Sequence, residues 1–289
     1  MDWEKIKKIF IYLLVAVNIG LLGLNYKNST KYTMTSDEER AVYELLSANG
    51  IGIYTEIIKE AYPMRQLAVT VPEFNNNEIR NTFFDNGENM QITLEVDSTI
   101  FKSDSKTVVI NGNKIYFDCP DGTGNIEDFS RQVALDISED FIKKVSFGSD
   151  YSINLEKISV FGDGYKFEYN ESYGKQKIFS SAKEVYVTPE GIISAELSYY
   201  VPQGYVGENR QICSCDEAIL TVIYNIKNSV DGVPDGAYLE KTEIGYDFQA
   251  DGDISQAGVL RLVPCYRIYI SGINNPYIIN AYTNELIEY

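Results

Sequence analysis

Four cysteines and a large set of carboxylates are the side chains through which this chain could do chemistry, because it contains no histidine. Without imidazole there is no Ser-His-Asp or Cys-His nucleophile system, no histidine-ligated zinc, and not the commonest general base. The usual protonation switch near neutral pH is missing as well. Cys119, Cys213, Cys215 and Cys265 allow three disulfide pairings in an oxidising compartment, and the sequence does not choose among them. Cys213-Ser214-Cys215 lacks the two-residue spacer of a redox dithiol, and no second pair completes a zinc site. Cys215 falls in the first turn of an expected helix, where the dipole would lower its thiol pKa. Burial as a small apolar side chain is the competing expectation, and the stronger one.

Carboxylate chemistry remains open in principle. Asp251-Gly252-Asp253-Ile254-Ser255 has the spacing of the first oxygen ligands in a calcium loop. Gln256 then stands where that loop needs glycine, and Leu262 where it needs a bidentate glutamate. The stretch from Asp118 to Asp128 is acidic and equally irregular. Both read as solvated turns. A retaining glycosidase needs only two carboxyls about 5 Å apart, but no Asp/Glu pair stands out from a generally acidic chain. No catalytic, cofactor-binding or metal-ligating residue is assigned, no cofactor is expected, and the chain is not expected to be an enzyme.

Net charge narrows the partners. The chain carries a formal charge of −17, and residues 28–289 alone hold 21 basic and 40 acidic side chains. Such a surface repels nucleic acid and anionic headgroups, and leaves a basic partner as its electrostatic complement. The 23 tyrosines and 13 phenylalanines suit many half-buried strands.

The elements that must position these groups follow from capping signals and periodicity. Ser36 to Glu39 reads as a capping box opening a helix to about Ala48, with Val42, Leu45 and Leu46 inward and Gly50 as its stop. Strands are expected at 51–58 and 65–71, then a helix over 75–84 with Ile79, Phe83 and Phe84 for the core. Alternation from Met90 to Phe117 contains Asn111-Gly112, a hairpin signal. Pro120 to Asn125, with two glycines, reads as a domain boundary. Asn125 is the expected cap of a helix with the stripe Ile126, Phe129, Val133, Ile137, Phe141 and Val145, closed by Gly148. Strands follow at 153–161, 165–170, 182–188 and 192–200. Ser214 and Glu217 form another capping box, before a helix with Ala218, Ile219, Val222, Ile223 and Ile226 inward. Strands at 239–248, 259–270, 277–282 and 285–289 close the chain.

The amino terminus supplies an address. Lys5, Lys7 and Lys8 precede an uncharged run from Ile9 to Tyr26. As a helix that run reaches roughly 27 Å, near the lower limit for crossing a bilayer core of about 30 Å. Trp3, Tyr12 and Tyr26 suit the interfaces. A cleavable signal peptide would need a small-residue cleavage site, and none follows. The lysines place the amino terminus in the cytoplasm by the positive-inside rule. Phe10, Leu13, Leu14, Val17, Asn18 and Leu21 are spaced to share one helix face, the candidate surface for a partner helix. Lipid contact alone would account for the apolar members equally well.

The expected fold class is therefore α+β, a transmembrane helix followed by two related units of helices packed on antiparallel sheets. Residues 1–27 form the cytoplasmic tip and anchor and 28–35 a tether. Residues 36–119 and 125–289 form the two extracellular units.

Both ends of the chain resemble one family. Met1-Asp2-Trp3, with Lys5, Lys7, Ile9, Phe10, Ile11 and a span ending in Leu21-Leu22, is similar to YycI, also called WalI. Ser214 to Ile226, Ile244-Gly245-Tyr246 and Leu262-Val263-Pro264-Cys265-Tyr266-Arg267-Ile268 resemble that family's last helix and late strands. Tyr277 to Ile287 resembles its closing Asn-Ala-aromatic-Thr-Gly-Glu hairpin, with Asn284 where glycine is usual and no tryptophan near Tyr266. That hairpin also occurs in PepSY-like modules. Residues 50–210 support the match by element pattern only. The resemblance implies a non-catalytic single-pass regulator of an essential sensor histidine kinase of a cell-wall two-component system in Gram-positive bacteria. It implies contacts through membrane helices and extracellular domains, a YycH-like partner, and no cofactor. An anchored extracellular enzyme, or a PepSY-like binding module at the cell wall, is the alternative. The kinase's identity, the sign of regulation and the signal are not written in the sequence.

Overall fold

The structure is a computed structural model and describes residues 7, 10–21, 31–85, 87–147, 152–229, 232–249 and 258–287. Asp251 to Ser255, Gly148, most of the lysine-rich tip and the last two residues lie outside the described residues. The architecture is mixed α+β. Among the described residues there are five helices: α1 (10–21), α2 (Ser36–Ala48), α3 (Asn76–Phe83), α4 (Arg131–Lys144) and α5 (Cys215–Asn228). No helix among them is long and apolar enough to cross a membrane.

The chain divides into two compact units, neither contiguous in sequence. A terminal unit comprises Met1–Met64, Asn209–Glu243 and Tyr266–Glu288, and a central unit comprises Arg65–Glu208 and Ile244–Cys265. The division expected at 120–125 is corrected by this partition. That glycine-rich stretch lies inside the central unit, where the Gly124 amide donates to Glu190 O at 3.0 Å. A Cβ on Gly122 would stand 2.0 Å from the same carbonyl. The glycines there serve close approach to a turn rather than a linker.

In the terminal unit, α2 and α5 pack on each other, and α5 also lies on the hairpin of β14 (Tyr277–Asn280) and β15 (Glu285–Leu286). The expected inward face of α5 is correct, since Ala218, Ile219, Val222, Ile223 and Ile226 are all buried, with Cys215. Ser214 N donates to Glu217 Oε2 at 3.0 Å, as its capping signature predicts. The other capping box is shifted by one residue. Thr35 caps α2, its amide donating to Glu38 Oε2 at 2.7 Å, which frees Glu39 to pair with Lys59 at 2.8 Å. The strand expected at 51–58 shrinks to β1 (Gly52–Ile53), parallel to the start of β12 (Tyr238–Asp247). Asn284 takes a φ of 58°, the left-handed turn conformation that asparagine tolerates.

The central unit is a large, mainly antiparallel sheet with α3 and α4 against it. Its ladder runs β3 (Gln91–Leu94), β4 (Ser98–Lys102), β5 (Thr107–Asn111), β6 (Lys114–Asp118), β10 (Gly191–Ser198) and β9 (Gln176–Thr188). β9 also pairs with β8 (Gly164–Tyr173), and β8 with β7 (Ser152–Phe161). β2 (Met64–Thr70) runs antiparallel to β13 (Val259–Ile270), with Thr70 opposite Val259. The β5–β6 hairpin forms one residue later than its dipeptide suggests, since Asn111 pairs with Lys114 around Gly112-Asn113. Ile79, Phe83, Phe101, Phe117, Phe167 and Val185 are core members.

Two further expectations are corrected here. α4 begins after Ser130, whose hydroxyl accepts from Val133 N, rather than at Asn125. Its buried centre is Ala134, Ser138 and Ile142, flanked by the expected Val133, Ile137 and Phe141. Small residues sit centrally because the helix lies close to β8, where Ser138 Oγ and Tyr169 Oη are 2.7 Å apart. The second correction is an additional strand, β11 (Val201–Arg210), which pairs with β2.

Candidate functional site

The central unit carries an open groove of about 660 Å3. Five stretches of chain build it, Ser152 at the start of β7 among them. Pro72 to Phe74 lead into α3, and Ser146 and Phe147 follow α4. Ser172 to Gly174 form the β8–β9 turn, and Tyr199 to Pro202 enter β11. Three rings meet along one wall: Phe74 to Phe147 at 5.8 Å, Phe74 to Tyr199 at 5.4 Å and Phe147 to Tyr199 at 5.7 Å between centroids. Each pair is tilted or edge-to-face, the favoured arrangement for aromatic quadrupoles. Tyr173 adds a fourth ring, itself 5.3 Å from Tyr205.

Phe147 is held against its backbone preference. Its φ is 49°, in the left-handed region, which costs a bulky residue about 1–2 kcal/mol relative to the right-handed form. Glycine is the usual occupant of such a position just past a helix. Its ring contacts with Phe74 and Tyr199 compensate that cost.

Charge at the groove is of one sign. Among the described residues, Glu73 and Glu78 are its charged lining side chains, both exposed, and no lysine or arginine lines it. Neither glutamate has an ion-pair or hydrogen-bond partner among the described residues. Exposed carboxylates at a rim present charge to a ligand.

Behind the aromatic wall lies a different kind of charge. Lys183 and Glu171 are both fully buried, with Nζ 2.5 Å from Oε1. Lys183 also donates to Ser198 O at 2.9 Å, Ser181 donates its hydroxyl to Glu171, and the ammonium stands 4.0 Å from the Tyr199 ring centroid. A bulge makes room. Asn170 pairs with Ala182 but Glu171 pairs with Ile178, so Phe179 to Ser181 stand out of the ladder and deliver Ser181 to the carboxylate. Burial pushes the Glu171 carboxyl up and the Lys183 ammonium down, while their contact opposes both shifts. Tyr199 closes this centre from the groove, its hydroxyl donating to Val145 O at 2.9 Å.

Sequence reasoning missed this pair, although a signal was present. Lys183 stands in the inward register with Val185 and Val187, and Glu171 with Phe167 and Tyr169. A charge at an inward strand position needs a partner of opposite sign.

The residues expected to do chemistry lie elsewhere. The four cysteines are thiols rather than disulfides, and Cys119, Cys215 and Cys265 are buried. The expected dipole effect on Cys215 is overridden: burial pushes Cys213 and Cys215 up to about 12. Among the described residues, no group of three His, Cys, Asp or Glu side chains could hold a metal ion. Phe10, Leu13, Leu14, Val17, Asn18 and Leu21 all lie on α1 and are exposed. The Asn18 amide donates to Leu14 O at 2.9 Å, so its nitrogen is satisfied within its own helix.

No family model and no curated protein sequence matches the chain. Among solved structures, an uncharacterised protein from Eubacterium rectale is similar, with a TM-score of 0.53 and 10% identity over 83% of this chain and 90% of that one. The C-terminal domain of Bacillus megaterium YpeB aligns with a TM-score of 0.39 and 12% identity, over 75% of this chain and 99% of that one. The Eubacterium likeness shows a shared fold. The YycI resemblance rests on the sequence motifs alone.

Proposed function

We propose that this chain is a non-catalytic binding protein, anchored in the cell membrane by its amino-terminal helix with the folded part outside. In that reading it regulates a sensor histidine kinase of a cell-wall two-component system, together with a YycH-like partner. The observation that carries it is α1. Nine of its large apolar side chains, from Phe10 to Leu21, are between 48% and 73% exposed, and they lie all round the helix. A helix apolar on every side is stable only when lipid or protein covers it. Phe10, Leu13, Leu14, Val17 and Leu21 supply a packing face, and the Asn18 side-chain oxygen, without a partner among the described residues, supplies a polar contact for a second helix. Regulation then requires only that this helix bind two kinase states with different free energy.

Exchanging residues 9–26 for an unrelated single-pass span tests the proposal. Site-specific crosslinking in native membranes should lose the kinase, and the kinase's output should change with it. Intact regulation with no complex captured from either chain would sink the reading. The groove favours a second, compatible reading, in which the folded part is a binding module in its own right.

A further inference from the structure

We infer that the groove of the central unit is a receptor for a peptide segment that presents a single cationic side chain, arginine or lysine. The inference rests on the folded part being a binding module, and not on the kinase. Three features of the site select this ligand. Phe74, Phe147 and Tyr173 line an open space, the setting in which a guanidinium or ammonium gains from aromatic quadrupoles. Glu73 and Glu78 give that space negative charge with no cation among its lining residues, and neither carboxylate is committed to a partner among the described residues. Tyr199 contributes wall rather than charge, because the Lys183 ammonium against its ring is paired with Glu171. A volume of about 660 Å3 exceeds one side chain and accepts a few residues of backbone around it. Anionic ligands are excluded by the rim carboxylates and by a net charge of −17.

The left-handed Phe147 is the second line of argument. At a φ of 49°, where glycine is free of the steric cost, the Phe147 ring packs on Phe74 and Tyr199 and lines the groove. Placing a ring there completes the wall, at the expense of backbone comfort, as at many ligand sites.

The test uses the full chain in neutral phosphatidylcholine nanodiscs and calorimetry at low ionic strength. The probe is an acetylated and amidated Gly-Ala-Arg-Ala-Gly peptide, with its citrulline analogue as the neutral isostere. The arginine peptide should bind about tenfold more tightly than the citrulline peptide. Phe147→Gly should weaken arginine-peptide binding about tenfold in a protein that still unfolds cooperatively, since relief of the left-handed φ offsets part of the lost ring packing. Glu73→Gln with Glu78→Gln, at exposed positions, should weaken it about fivefold with unchanged melting. Equal binding of the two peptides overturns the inference, as does full affinity in the double glutamine variant. Binding of an N-acetylglucosamine trisaccharide that displaces the arginine peptide overturns it in favour of a glycan. Exchanging residues 9–26 should leave peptide affinity intact, so loss of kinase regulation and loss of peptide binding are separate results.

Discussion

Charge lies on both sides of the Tyr199 ring, and the fold treats the two sides in opposite ways. Behind the ring, Glu171 and Lys183 are fully buried, in direct contact and further satisfied by Ser181 and Ser198. In front of it, Glu73 and Glu78 are exposed and line the groove. Charges removed from water must be answered by the protein itself, so the inner pair constrains how β8 and β9 come together. Charges left in water cost the fold little and are available to something else. The inner pair is structural and the outer pair is recognitional, and each variant below sharpens or breaks that distinction.

The largest effect belongs to the inner pair. Lys183→Met leaves a carboxylate buried without its cation, and should cost about 3–5 kcal/mol in urea unfolding. Glu171→Gln combined with Lys183→Met should return stability to within about 1 kcal/mol of the wild type or above it. A single variant that costs almost nothing would mean that water reaches the pair, and the distinction between the two sides would fall.

The pH dependence of that double variant comes next. Burial raises the Glu171 pKa in the folded state above its ordinary 4.5. Its carboxyl therefore contributes stability below the ordinary value and loses that contribution as pH rises through the folded value. Lys183 is shifted down from 10.5, so its contribution is present above that value and is lost as pH falls. Relative to the wild type, the double variant should gain stability as pH is raised from about 4 to 7. A flat difference curve across that window would show that contact with Lys183 outweighs burial.

Tyr199→Phe sits between the two sides. It removes the hydrogen bond to Val145 O and should cost about 1–2 kcal/mol, read by the same unfolding curves, with the ring wall kept. Smaller still is Lys166→Met on the outer sheet surface, where Glu168 at 3.1 Å and Glu184 at 2.8 Å are both partly in solvent. Its loss should be about 1 kcal/mol or less after solvent screening. The rim variants Glu73→Gln and Glu78→Gln should change stability by no more than about 0.5 kcal/mol each.

The sequence was most legible where one periodic signal decides the outcome. The α5 face follows from residues three and four apart between Ala218 and Ile226, and every one is buried. The left-handed turn at Asn284 follows from residue type. Legibility failed where two signals competed. Asn125 precedes the apolar stripe and Ser130 lies within it, and only the structure chooses Ser130 as the cap. β11 was hidden by Pro202, Gly204 and Gly207, which break its alternation. In the described order of strands it stands at the end beyond β2, where an edge strand tolerates such residues. The groove was not legible at all, because residues near 73, 147, 173 and 199 meet only after the sheet has formed. The aromatic richness that suits half-buried strands also supplies its walls.

The pairing of β2 with β13 has a consequence for synthesis. Residue 70 finds its partner at residue 259. A chain made from its amino terminus therefore carries an unfilled edge on β2 until most of its length has emerged. An open edge of that kind templates pairing between molecules. Chains that stop early, after α5 but before residue 259, should accumulate as insoluble aggregates or depend on a holding chaperone, where full-length chains do not.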